Sequence, residues 1–150
     1  MSANMALVSP PEEAASLVTR NRIVCFVNDE ISAAALRKGL EGSNLEVKRG
    51  TIRNAIRMLE TDTELFALVA DISGIDDPIT ELERLSRVCP PDVRVALIGE
   101  STDISFYRAL MGLGLSEYLP RPLTRDMVQN QLRPKLLGDV APGPSDRGVT

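Results

Sequence analysis

The 150-residue chain contains no histidine. That absence removes serine–histidine–aspartate triads, cysteine–histidine nucleophiles, histidine-ligated zinc or haem, and a histidine phosphocarrier. Tryptophan is also missing and aromatic residues make up only 3%, which leaves little for stacking on bases or sugars. Basic charge is in deficit: 17 Lys and Arg against 21 Asp and Glu give a net charge of -4. A general nucleic-acid binder needs a basic footprint to displace counterions, so no nucleic-acid partner is expected. No apolar run reaches the length of a membrane span, and the N-terminus lacks the charged segment and apolar stretch of a secretory leader. The two cysteines, Cys25 and Cys89, form no CxxC pair and read as small hydrophobes of a reduced, cytoplasmic protein.

What is present is ordinary for one globular domain: 43% hydrophobic and 25% charged residues. The ends differ from the middle. Residues 1–20 carry Ser9-Pro10-Pro11 and no strand pattern, and 138–150 are rich in Gly and Pro, a composition that does not offset its own ordering entropy. The expectation is two tails around a domain at 21–137, the second tail being the start of a linker to a further domain.

Between the tails, strand-like and helix-like segments alternate. Arg22–Val27, Phe66–Ala70 and Val93–Ile98 are nearly continuous apolar runs, as strands buried on both faces require, while Leu45–Lys48 alternates like an edge strand. A short fifth run is Glu117–Leu119. Helical spacing links Ala33, Leu36 and Leu40; Ile52, Ala55, Ile56 and Leu59; Ile79, Leu82, Leu85 and Cys89; and Val128, Leu132 and Leu136. Asp77-Pro78, Thr102-Asp103 and Thr124 are helix-start signals. The order is βαβαβαβαβα. It predicts an α/β fold, a doubly wound parallel sheet of flavodoxin type with strand order 2-1-3-4-5.

In such a sheet, ligands bind beyond the carboxyl ends of the strands near the topological switch. Asn28-Asp29-Glu30 follows the first strand, Asp71 the third, Gly99-Glu100-Ser101 the fourth and Pro120-Arg121-Pro122 the fifth. Asp29 and Asp71 should therefore converge, with Arg121 reaching in from the far side. Two carboxylates and a guanidinium form either a hard-cation site or a salt-bridge cluster. Asp29 also reads as the N-cap of the first helix.

An acid after the first strand, an acid after the third and a basic-Pro step after the fifth resemble a receiver domain, the CheY-like module of response regulators. The resemblance implies roles residue by residue. Asp71 matches the phosphoacceptor that a partner histidine kinase loads, and Asn28 and Asp29 fall on the acidic pair that holds Mg²⁺ with it. Gly99 falls on the Ser/Thr and Arg121 on the Lys that bind phosphoryl oxygens; Tyr118 falls on the aromatic switch. Three positions depart from that pattern. Asn28 removes a charge from the cation site, which weakens it. Gly99 has no hydroxyl. Arg121 carries a planar fork suited to clasping a carboxylate, so an Arg121–Asp71 ion pair filling the site is expected. Tyr118 has a second reading as core packing, and Gly99 as a turn residue.

The run Phe106-Tyr107-Arg108-Ala109-Leu110-Met111-Gly112-Leu113-Gly114-Leu115-Ser116-Glu117-Tyr118-Leu119 further resembles the atypical N-terminal receiver of the Tad/Cpa pilus-assembly proteins, CpaE or TadZ. That likeness implies a protein-interaction role in a polar assembly, with pilus-assembly or secretion components and a second copy as partners. In that group an ATPase domain follows the receiver, but no P-loop occurs in this chain. No phosphate-cradling Gly loop follows the first strand either, so no enzyme activity is expected.

The fourth helix carries apolar residues on more than one stripe. Phe106, Leu110 and Leu113 are expected to pack on the sheet, leaving Tyr107 and Met111 toward solvent or a partner. In receivers the face built by the fourth helix, fifth strand and fifth helix is the usual dimer or output surface. Lys48, Arg49, Arg53 and Arg57 form a basic patch, read as a solvated face or as a site for an acidic partner. Two functional readings result: a docking or dimerising module without phosphate chemistry, and a phosphorylated switch using Asp71 with Mg²⁺.

Overall fold

Strand β1, Arg22–Val27, is buried at every residue after Arg22. In the computed structural model, which describes residues 22–138, it is followed by α1 (Glu30–Gly39), β2 (Asn44–Arg49), α2 (Ile52–Leu59), β3 (Ala67–Asp71) and α3 (Pro78–Val88). Then come β4 (Arg94–Gly99), α4 (Ile104–Gly112), β5 (Glu117–Pro120) and a final helical segment, α5, at 125–138. The expected tails at 1–20 and beyond Gly138 lie outside the described residues.

All neighbouring strands pair in parallel, in the order β2-β1-β3-β4-β5, and β2 is an edge strand as its alternation predicts. Side chains alternate across β1. Ile23, Cys25 and Val27 pack under α1 and α5, while Val24 and Phe26 pack under α2, α3 and α4. Leu36, Leu68 and Leu97 are sealed completely. Each such side chain contributes about 1.5–3 kcal/mol. Helix starts are fixed by Asp29, Thr51, Asp77, Asp103 and Thr124, each accepting a backbone N–H of its own first turn. A cap of that kind is worth about 1 kcal/mol. Cys25 is buried, and burial together with Asp92 pushes the partly buried Cys89 thiol up to about 11. Both behave as packing groups.

Two elements differ from expectation. The fifth helix begins as an α-helix at Arg125–Met127 but winds wider over Val128–Leu132 and Pro134–Gly138. Pro134 has no N–H to donate, and the Arg133 N–H reaches five residues back to Val128. In α4, Leu110 is sealed and Phe106 packs on the sheet as expected, but Leu113 is 43% exposed. The helix ends at Gly112, so Leu113 leaves the helical spacing and Leu115 fills the core instead. Tyr107 and Met111, expected toward solvent, are half-buried against the core beside Leu110. The large apolar side chains exposed here are Ile104, at the start of α4 and 62% exposed, and Leu113, just past its end.

The strand register sets the site. Phe26 lies opposite Ala70, Asp71 opposite Ile98 and Gly99 opposite Pro120. The carboxyl ends of β1, β3, β4 and β5 are therefore level, and the residues just past them share one end of the sheet.

Candidate functional site

Asp71 is the last residue of β3 and is completely buried. Its Oδ1 accepts the Ser73 N–H at 2.8 Å, while Oδ2 is sealed and accepts no hydrogen bond. Asp29 sits one strand away at the start of α1. There its Oδ2 accepts the Ser32 N–H at 2.8 Å, and its Oδ1 accepts from Arg121 Nη1 at 2.8 Å. Both oxygens of Asp29 are thus engaged, one as helix cap and one as ion-pair partner.

Arg121 follows β5 at a cis Arg121-Pro122 bond, with its backbone N–H donating to the Gly99 carbonyl at 2.7 Å. Its guanidinium spreads over three acids. Nη1 meets Asp29 at 2.8 Å and Asp71 Oδ2 at 3.7 Å, and Nη2 meets Glu100 at 2.8 Å. The expected Arg121–Asp71 pair is therefore corrected in its geometry. Asp71 is the distant partner, and the hydrogen bonds go to Asp29 and Glu100. The cause is steric: Asp71 is sunk at the end of its strand with one oxygen tied to Ser73, whereas Asp29 and Glu100 stand at the rim. Burial would raise the Asp29 pKa, but the hydrogen bonds from Ser32 and Arg121 outweigh it and hold the carboxyl below its ordinary range. Burial lowers Arg121 in turn, and its bonds to Glu100 and Asp29 overcome that and raise it. The guanidinium is a permanent cation.

These contacts decide how the acids fit a divalent ion. Asn28 is exposed and engages its neighbour only through its carbonyl, which accepts from Arg49. Asp29 Oδ1 and Asp71 Oδ2 both already face one nitrogen of Arg121, at 2.8 and 3.7 Å. An added Mg²⁺ would have to share that space with a guanidinium, and like charges there repel. The residues do not fit the metal while Arg121 stays in place. Among the described residues no group of three or more Asp, Glu, Cys or His forms a metal cluster.

Gly99 explains the second half of the site. A Cβ there would lie 2.7 Å from the Tyr118 hydroxyl, 3.0 Å from its Cε1 and 3.1 Å from Ile72 Cγ1. The glycine is not a turn device, since its backbone is ordinary strand; it is empty space into which Tyr118 folds. Tyr118 is buried, stacks edge-on against Phe106 at 5.7 Å, and donates its hydroxyl to the Ser101 carbonyl at 2.8 Å. Burial and the nearby charges of Asp71 and Glu100 raise its pKa, so it stays a donor.

Glu100 and Ser73 are the participants that residue reading did not assign. Glu100 was detectable in retrospect, because the Gly99–Pro120 register places an acid beside the arginine. The Ser73 contribution is a backbone N–H and carries no signature in residue type. The basic patch is not a bare cluster. Arg49 bonds the Asn28 carbonyl and lies 3.6 Å from Glu30, and Arg53 lies 3.4 Å from buried Glu81.

No protein-family profile and no curated protein matches the chain. Solved structures do. The crystal structure of the pilus assembly protein CpaE from Caulobacter crescentus CB15 is 26% identical, with a TM-score of 0.66 over 72% of this chain and 93% of that one. A response regulator from Thermotoga maritima is 18% identical, with a TM-score of 0.61 over 77% and 98%. A Burkholderia pseudomallei response regulator with a phosphorylated aspartic acid and a calcium ion is 18% identical, with a TM-score of 0.56 over 75% and 68%. No helix among the described residues is long and apolar enough to cross a membrane. With its five parallel strands in 2-1-3-4-5 order, the chain has the CheY-like receiver fold and is similar to the CpaE pilus-assembly proteins.

Proposed function

We propose that the chain is a receiver-type interaction module of a Tad/Cpa-like pilus-assembly system, acting by docking or self-association through its α4–β5–α5 face without phosphate chemistry. The observation that carries this reading is the position of Arg121. Its guanidinium holds Asp29 and Glu100 at 2.8 Å and lies 3.7 Å from Asp71, where a cation and a phosphoryl group would otherwise be placed. Gly99 supplies no hydroxyl to follow a phosphoryl group, and Tyr118 already occupies the space beside it. A face with one constant shape suits a scaffold component better than a switch. A cytoplasmic, polar setting and protein partners belong to the same reading.

A second reading has one specific observation in its favour. Asp71 Oδ2 is sealed without a hydrogen bond, which is a costly state for a carboxylate and one that covalent modification would relieve. On that reading Asp71 takes a phosphoryl group from a histidine kinase with Mg²⁺. One experiment separates the two: incubation with Mg²⁺ and millimolar acetyl phosphate, read by intact mass. The docking module stays unmodified, and a stable phosphoryl adduct on Asp71 sinks that proposal.

A further inference from the structure

A groove of about 300 Å³ crosses the α4–β5–α5 face, walled by Asp103, Ile104 and Tyr107 on one side and Gln131 on the other, with Glu117 and Tyr118 at its floor. Glu117 is an unusual floor residue, a carboxylate only 8% exposed. Its Oε1 is pinned by two donors, the Tyr118 N–H at 2.8 Å and the Tyr107 hydroxyl at 3.1 Å. Its Oε2 accepts nothing among the described residues. It is also absent from the sealed, unsatisfied atoms, which are Ser32 Oγ, Asp71 Oδ2 and Ser73 Oγ, so it opens onto the groove. Water meets that oxygen in the open groove, and any partner that closes the groove must replace the water with a donor of its own, best a charged one. The lining contains two acids, Asp103 and Glu117, and no Lys or Arg. At the rim stands Ile104, 62% exposed. The surface thus offers a buried anion beside an open aliphatic contact.

We infer that this groove receives a protein partner through a cationic side chain, Lys or Arg, that reaches Glu117 Oε2 while a neighbouring aliphatic residue covers Ile104. The inference rests on the α4–β5–α5 reading above and adds the chemistry of the partner. Charge complementarity selects it: a neutral apolar segment would bury the Glu117 oxygen without a donor, and an acidic one would be repelled. Tyr107 acts as a positioning residue, since its hydroxyl fixes which carboxylate oxygen faces out.

Amide chemical-shift titration of the ¹⁵N-labelled chain tests this with two matched probes, n-butylguanidinium and neutral n-butylurea. The guanidinium should shift amides at 101–107 and 117–119 with at least several-fold tighter binding than the urea. Glu117→Gln keeps both pinning hydrogen bonds and removes the charge, so it should abolish that preference. Ile104→Ser should weaken both probes alike. Equal binding of the two probes, or an unchanged preference in Glu117→Gln, overturns the cationic partner and leaves the docking face standing. A guanidinium response elsewhere on the chain overturns it as well. Failure of the docking face itself is read separately, by whether Ile104→Asp alters self-association or partner binding of the full chain.

Discussion

At the scale of single residues, Arg121 determines what the acidic end of the sheet can do. Its guanidinium supplies the only cation within reach of Asp71 among the described residues, at 3.7 Å. Arg121→Ala should therefore have two measurable effects. Stability should fall by about 1–3 kcal/mol in urea unfolding, because the sealed Asp71 carboxylate loses its compensating charge. Mn²⁺ or Mg²⁺ affinity should rise from undetectable to measurable in calorimetry, because Asp29 and Asp71 are freed to face a metal. Gly99 is the second decisive position. Gly99→Ser should displace the Tyr118 ring, at about 1–3 kcal/mol for overpacking. In a Tyr107→Phe background Tyr118 is the sole tyrosine reporter, and its fluorescence should become more accessible to acrylamide. Asp29, Asp71 and Arg121 are legible in sequence because strand order alone brings strand ends together. The choice of Asp29 and Glu100 over Asp71 as hydrogen-bond partners is not, since it turns on how deep each carboxylate sits.

Elements are held in register by a few contacts that cross between them. Arg22, at the start of β1, bonds Glu46 of β2 at 2.9 Å and Asp62, ahead of β3, at 3.0 Å. Those hydrogen bonds hold both carboxyls below their ordinary range, and Asp29 is held low in the same direction. A carboxyl with a depressed folded-state pKa contributes stability that is complete above its unfolded value, about pH 4. That contribution is lost as the pH falls through the lower folded value. Chemical denaturation between neutral pH and about pH 3 should thus show a steep acid limb, and Arg22→Gln should flatten it. A flat wild-type limb would contradict the ion-pair account. At the other layer, a Cβ on Gly39 would collide with Val128, so α1 and α5 approach as closely as backbone permits. Gly39→Ala should cost about 1–3 kcal/mol, read by urea unfolding. The helical spacing of the sequence located every helix and most of the core. It placed Leu113 on the sheet because it carried the apolar stripe past Gly112 and over the stop signal of Gly114, which takes a φ of 96°. Tyr107 and Met111 are half-buried because the packed stripe is wider than three residues.

Across the whole molecule, the parallel sheet does two separate jobs. Its carboxyl end gathers the acids that Arg121 closes, and its last strand floors the groove between α4 and α5. The two are joined by Tyr118, which packs against Gly99 on one side and lines the groove on the other. The proposed docking role requires that the site stay closed, so that the groove keeps a single form. The topology was readable from the alternation of apolar runs, since a doubly wound sheet has few ways to connect them. The groove was not, because Glu117 looks like any polar strand residue until its burial is known. The central claim is that Arg121 keeps the acidic pocket shut to a phosphoryl group. Its most direct test is ¹⁹F NMR of the wild-type chain with Mg²⁺ and beryllofluoride, whose fluorines stand in for phosphoryl oxygens. The account predicts no protein-bound fluorine resonance; a bound resonance that disappears in Asp71→Asn would contradict it.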